Sequence, residues 1–184
     1  MGAVDEPAAL LPLNDTLDLA TLFREYRTFV YRIMRRLGVR PPDVDDACQE
    51  VFVVIHQKLD QFEHRSSLRA WVYGICVRVA ARQRRRRHVT HEIVSDDAPE
   101  PVDPTTPAEK FSVMEACEML ESILSTLDDE KRAVFVLYEL EELTVQEVAQ
   151  ALDCPLQTAY SRLRAARELV EAAVRRHLQK GRFQ

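Results

Sequence analysis

The sequence predicts an all-α protein. Two small helical domains are joined by a flexible, acidic, proline-rich linker, and the second domain contains a helix-turn-helix. Three observations predict this. Apolar residues recur at three- and four-residue intervals along most of the 184 residues, and no run alternates at strand period over a useful length. That period breaks where Pro99, Pro101, Pro104 and Pro107 sit among Asp and Glu. Near the end, a short helical pattern, a break at Asp153-Cys154-Pro155 and a longer basic helix follow one another.

The elements follow in order. Residues 1–15 have prolines and acids but no sustained period, and read as a disordered N-terminal arm. The first domain spans 16–87. Its first helix carries Leu19, Leu22, Phe23, Tyr26, Phe29 or Val30, Ile33 and Leu37, and Gly38 followed by Pro41-Pro42 stops it. Asp43 is the expected N-cap of the second helix, which runs through Val44, Ala47, Cys48, Val51, Phe52 and Ile55 to about Leu59. Asp45 and Asp46 suit its first turn, where the helix dipole favours acids. After a polar turn over 60–67, Ser66 or Ser67 can cap a third helix with Leu68, Trp71, Val72, Ile75, Cys76 and Val79 on one side and Arg84–Arg87 at its end. The linker is placed at 88–110 and the second domain at 111–184. Helical period resumes at Phe111, Met114, Cys117 and Leu120, and Asp128 can cap a helix bearing Ala133, Val134, Leu137 and Leu140. Thr144 and Glu147 have capping-box spacing ahead of Val145, Val148, Ala149 and Leu152. The last helix should bury Ala159, Leu163, Ala166, Val170, Ala173 and Val174.

Composition excludes several classes. No apolar run approaches the roughly 20 residues a membrane span needs, so no membrane insertion is expected. No signal peptide is expected from the acidic start. Cys48, Cys76, Cys117 and Cys154 form no CxxC pair, which argues against a zinc or thioredoxin-type site and for thiols in a reducing cytosol. No paired carboxylates, triad or phosphate loop suggests an enzyme, and no cofactor or metal is expected. The formal net charge of −5 conceals a strong sorting of charge. Residues 65–91 hold 8 arginines and no acid, and residues 155–184 hold 7 basic and 2 acidic side chains. Residues 111–154 hold 2 basic and 11 acidic ones. Two basic blocks on an acidic background point to nucleic acid.

Each block has a form that suits DNA. If Ala159, Leu163, Ala166 and Val170 face inward, then Gln157, Tyr160, Ser161, Arg164 and Glu168 point outward, with Arg162 and Arg167 at the edges. Donors, an aromatic ring and arginines suit major-groove base edges and flanking phosphates. A solvated basic face is the alternative. In the other block, Arg65, Arg69, Arg78, Arg82 and Arg84–Arg87 are joined to Trp71 and Tyr73. Arginines neutralise phosphates, and aromatic faces stack on bases that leave a duplex. Trp71 shares a stripe with Leu68 and Ile75, so a core role and a stacking role both stand.

Several segments then resemble the extracytoplasmic-function (ECF) sigma factors of bacteria, members of the sigma-70 family. They are Leu22-Phe23-Arg24-Glu25-Tyr26, Asp45-Asp46-Ala47-Cys48-Gln49-Glu50-Val51-Phe52, Leu59-Asp60-Gln61-Phe62 and Ser66-Ser67-Leu68-Arg69-Ala70-Trp71-Val72-Tyr73 in the first half. In the second they are Leu127 to Arg132, Glu147-Val148-Ala149 and Cys154 through Leu163. The resemblance covers about 150 residues in the family's order. It implies a subunit that binds core RNA polymerase through Asp46, Gln49 and Glu50. It implies contact with a melted promoter −10 element through Phe62, Arg65, Arg69, Trp71, Arg78, Arg82 and Arg85. Tyr160, Ser161, Arg162, Arg164 and Arg167 are implied readers of a duplex −35 element. An anti-sigma partner and a cytoplasmic, nucleoid-associated location are implied as well. The chain departs from the family pattern at Glu63-His64-Arg65, where Arg-Gly-Asp is common, and at Gly74 and Arg78, where Arg and Asn are common. A free-standing helix-turn-helix regulator that binds operators directly is the alternative. It leaves the second and third helices without a purpose.

Overall fold

The computed structural model describes residues 18–63, 66–89 and 107–181. The expected arm, most of the linker and Arg65 lie outside them. The described residues contain seven α-helices, a short 3-10 turn at Leu59–Gln61 and a π-turn, and no strand occurs among them.

Helix α1 (Leu19–Arg36) buries Leu22, Val30, Ile33 and Met34. Phe23, expected inside, is half exposed and rests its ring 4.8 Å from that of Phe52. The helix ends in a Schellman turn. Gly38 takes φ +86°, its N–H donates to the Arg35 carbonyl at 2.9 Å, and the Val39 N–H donates to Met34 at 3.0 Å. Helix α2 (Pro41–Lys58) starts two residues before the expected Asp43 cap. Its first two positions are the prolines, which need no N–H partner there and already hold helical φ, so Arg40 becomes the N-cap. Helix α3 (Leu68–Val89) is capped by Ser67, whose Oγ accepts from the Ala70 N–H at 3.2 Å.

Helix α4 (Pro107–Leu124) again begins at a proline, inside the stretch expected as linker. Helix α5 (Asp129–Phe135) is capped by Asp128, which accepts from the Lys131 N–H at 2.9 Å. The expected continuation of α5 is one wide π-turn, Val136–Leu140. There the Glu141 N–H reaches back five residues to Val136. Helix α6 (Val145–Ala151) carries the expected capping box: Thr144 Oγ1 accepts from the Glu147 N–H at 3.3 Å, and Glu147 accepts from the Thr144 N–H at 2.9 Å. A second Schellman turn follows, with Asp153 at φ +49° and the Cys154 N–H donating to Ala149 at 3.0 Å. Helix α7 (Leu156–Gly181) buries Ala159, Leu163, Ala166 and Ala173 as expected. No helix among the described residues is long and apolar enough to cross a membrane.

Each half has a helical core, and the two cores join. One continuous set of buried residues runs from Leu22 through Ala80 and on through Leu124 to Ala166. Helix α3 packs on α6, and α6 packs on α7. A Cβ added to Gly74 on α3 would lie 2.6 Å from the Ala151 carbonyl oxygen on α6. The backbones therefore approach each other at a point that only glycine leaves open.

Candidate nucleic-acid interface

The expected −35 readers sit on the first three turns of α7. Burial of Ala159, Leu163 and Ala166 turns the opposite face outward. Tyr160 is 51% exposed, Ser161 is exposed, and the Arg164 side chain is 84% exposed. Arg164 pairs along its own helix with Glu168 at 3.2 Å. Arg162 and Arg167 lie at the edges and turn toward acids of their own half. Arg162 reaches Glu130 at 2.6 Å. Arg167 reaches Glu139 at 2.5 Å and lies over the Tyr138 ring. The Glu139 hydrogen bond is the chief reason the Arg167 guanidinium holds its proton even more firmly than usual.

The first half separates its expected −10 residues into three settings. Phe62 and Trp71 come together with ring centroids 5.2 Å apart, beside but outside the core. Trp71 is thus partly buried and partly open, so both roles weighed for it survive in one position. Arg78 and Arg85 are exposed on α3. Arg82 pairs with Glu50, and Gln83 donates to the same carboxylate at 2.9 Å. Arg69 is 34% exposed and reaches Glu141 of the other half at 3.3 Å.

The expected polymerase-binding residues also divide. Asp46 and Gln49 line an open groove of about 1180 Å³ between α1, α2 and α4, beside Phe23, Phe52 and Val53. Helical spacing places Glu50 on another face, where α3 holds it.

Glu141 went unnoticed in the sequence. Only 1% of its side chain is exposed. Arg36 and Tyr73 hydrogen bond to its carboxylate, Arg69 approaches at 3.3 Å and Arg32 at 3.6 Å. All four partners come from the first half. A signal was present: Arg32 and Arg36, and Arg69 and Tyr73, are i, i+4 pairs that present two donors to one face. Nothing in Glu139-Leu140-Glu141-Glu142 distinguishes the acid that turns inward, because the π-turn sets it. Burial, and then the bond to Glu141, push the Tyr73 hydroxyl far above its ordinary range. Around the same seam, Arg132 donates to the Arg36 carbonyl at 2.7 Å, Arg84 pairs with Asp129 at 3.1 Å, and Arg35 pairs with Glu121. Burial, followed by the neighbouring Arg84 charge, lowers Arg132 to about 10.

The four cysteines form no disulfide. Burial, and secondarily Asp45, push the Cys48 thiol up to about 12, and burial raises Cys76 further. Cys117, expected on an apolar stripe, is exposed on α4.

Comparison with known proteins accounts for this arrangement. Residues 22–89 match the family model of sigma-70 region 2, and residues 117–170 match sigma-70 region 4. The chain is 27% identical over 159 residues to the ECF RNA polymerase sigma-E factor of Haemophilus influenzae, covering 82% of this chain and 84% of that one. It is 28% identical over 142 residues to the sigma-E factor of Escherichia coli strain K12, covering 72% and 74%. It is 25% identical over 181 residues to the sigma factor SigE of Mycolicibacterium smegmatis, covering 94% and 70%. Among solved structures, it is similar to the sigma factor RpoE of Bartonella quintana bound to the anti-sigma factor NepR. The TM-score is 0.66 at 18% identity, over 87% of this chain and 98% of that one. CnrH in complex with the cytosolic domain of CnrY gives a TM-score of 0.62 at 22% identity, over 85% and 86%. With region 2 and region 4 in order on one chain, both halves of an all-α fold accounted for and curated ECF relatives along most of its length, the chain belongs to the ECF sigma factors of the sigma-70 family.

Proposed function

We propose that this chain binds core RNA polymerase through the α1–α2 face, engages the −10 element through α3 and reads the −35 element through α7. The observation that carries this reading is the presence on one chain of a region 2 half and a region 4 half, each ending in a basic helix. A free-standing operator-binding regulator accounts for α7 alone, and family membership sets it aside.

The roles follow from exposure and chemistry. Tyr160, Ser161 and Arg164 are the outward donors at the start of α7 and contact base edges and phosphates. Arg78 and Arg85 hold the −10 backbone, while the Phe62–Trp71 pair offers an aromatic face to an unstacked base. Asp46 and Gln49 supply an acid and an amide at an apolar groove, which suits a partner helix with cations along one edge. No bond is made or broken by this chain. An anti-sigma partner, a cytoplasmic location and nucleoid association while on polymerase belong to the same proposal.

The test is run-off transcription. Core polymerase with this chain should initiate at a promoter set that core alone ignores. Sequence-specific, salt-resistant promoter binding by the isolated chain, with no transcription on adding core, would return the regulator reading.

A further inference from the structure

The groove between α1, α2 and α4 begins where the chain enters its first helix. Leu19, Phe23, Arg27, Tyr31 and Arg35 line it at four-residue intervals, so it follows one stripe of α1 from the first residue to the last turn. Phe23 and Val53 lie in it half exposed. Apolar surface gathered in one open groove marks a place where another segment docks. Arg27 is exposed there and makes no ion pair among the described residues. The chain ahead of α1 has a composition to match. Residues 1–17 carry Asp5, Glu6 and Asp15 and no basic side chain. The apolar run Ala8-Ala9-Leu10-Leu11-Pro12-Leu13 lies in their middle. Asn14-Asp15-Thr16 follow it, and such residues favour a reversal of the chain.

We propose that residues 5–13 of this chain turn back at Asn14-Asp15-Thr16 and lie in the groove along α1, covering the surface assigned above to core polymerase. The inference rests on that assignment. The lengths agree. Leu19 to Arg35 is ~24 Å of helix at ~1.5 Å per residue, and the extended segment 5–13 spans ~30 Å. After the reversal, Leu13, Leu11 and Leu10 come first and meet Phe23 and Val53, while Asp5 and Glu6 reach toward the far end of α1. The charges select one wall. Arg27, Arg32 and Arg35 stand on α1, and Asp45 and Asp46 stand on α2, so an acidic segment is drawn to the first and held off the second. The short tether does the rest. A turn of a few residues keeps the segment at an effective concentration in the millimolar range, so contacts too weak to bind between molecules fill the groove within one. A partner that binds far more tightly still displaces it. The segment thus lowers the affinity of every occupant by the same factor, which leaves strong partners bound and removes weak ones.

The native thiols test this on the full chain, without polymerase. Cys117 is exposed on α4 and lines the groove, whereas Cys154 lies outside it and serves as the reference. Alkylation by iodoacetamide is followed at each cysteine by peptide mass spectrometry, in the wild type and in the double variant Leu10→Asp/Leu13→Asp. Both substitutions fall outside the helical core, and circular dichroism checks that helix content is unchanged. In the variant, Cys117 should react roughly five- to tenfold faster, as the covered fraction is lost, with the Cys154 rate unchanged. The same variant should bind core polymerase more tightly by a similar factor, because both readings report the open fraction. Equal Cys117 rates in the two chains overturn the docking. Wild-type protection that disappears on dilution assigns the groove to a second copy and overturns it too. Faster Cys117 alkylation without tighter core binding overturns the competition with polymerase. Failure of run-off transcription would refute the sigma function separately, because alkylation is measured without polymerase.

Discussion

Arg162 and Arg164 are two residues apart, and the sequence assigns both to the −35 element, but the structure separates them. The Arg164 side chain is 84% exposed and pairs with Glu168, which is 66% exposed on the same helix. Such a pair stabilises by about 0.3–0.5 kcal/mol at most. Arg162 is 24% exposed and spans from α7 to Glu130 on α5 at 2.6 Å. Arg164→Ala should therefore leave the melting temperature within about 2 °C of wild type. If Arg164 meets a base edge, the same change lowers −35 binding by 1–3 kcal/mol, roughly 5- to 150-fold. If it meets a phosphate, the slope of log affinity against log salt falls by about 0.9. Arg162→Ala should act in the opposite way. Its helix–helix tie is worth about 1 kcal/mol, or roughly 2–4 °C in melting temperature, and its effect on binding should be small. The assays are differential scanning calorimetry of each chain and competition between promoters with intact and scrambled −35 elements on the holoenzyme. Equal loss of −35 discrimination in both variants, with unchanged melting temperatures, would refute the separation.

Three further outcomes follow from local geometry. Thr144→Ala removes half of the α6 capping box and should lower stability by about 1 kcal/mol, read as a melting shift of roughly 2–4 °C; no shift would mean that the box adds nothing. Stability should fall as the pH rises above about 9, because the Cys48, Cys76 and Tyr73 hydroxyl and thiol groups hold their protons in the fold and release them on unfolding. The contribution is intact below the unfolded thiol value and fades as pH climbs toward the raised folded values; urea midpoints at pH 8 and pH 10 check the sign, and a higher midpoint at pH 10 would contradict it. Glu139→Gln releases Arg167, so −35 binding on the holoenzyme should strengthen by up to about fivefold, within the worth of an exposed pair; weaker binding would show that Glu139 orients Arg167 for DNA.

Helix existence and most caps were legible in the sequence because they depend on neighbours in the chain. Ser67, Asp128 and the Thr144–Glu147 box each bond within three residues; spacing placed Asp128 and the box and narrowed the α3 cap to Ser66 or Ser67. The helix-turn-helix was legible for the same reason. What escaped depends on distant partners or on a choice between backbones. Pro41-Pro42 follows a helix stop and opens the next helix, and sequence favours either reading. The π-turn at Val136–Leu140 leaves no mark in the apolar period, so the inward turn of Glu141 stayed hidden. The union of the halves was hidden too, since Gly74 reads as a departure from a pattern until Ala151 is seen against it.

The acidic surplus of the second half takes on a definite meaning in this light. Arginines expected to meet phosphate already meet carboxylates: Arg69 with Glu141, Arg162 with Glu130 and Arg167 with Glu139. Binding DNA through such a residue is an exchange of one anion for another, and its free energy is a difference. At an exposed pair such as Arg167–Glu139 that difference is small, and salt weakens both partners alike. At Glu141 the acid is buried, but Arg36, Tyr73 and Arg32 still face it if Arg69 turns to another anion, so its compensation is spread over several partners. Exposed pairs such as Arg167–Glu139 therefore tune affinity in small steps, while the buried acid mainly fixes how the two halves pack. A net charge of −5 thus averages over basic faces on α3 and α7 whose arginines are partly paired with the chain's own acids.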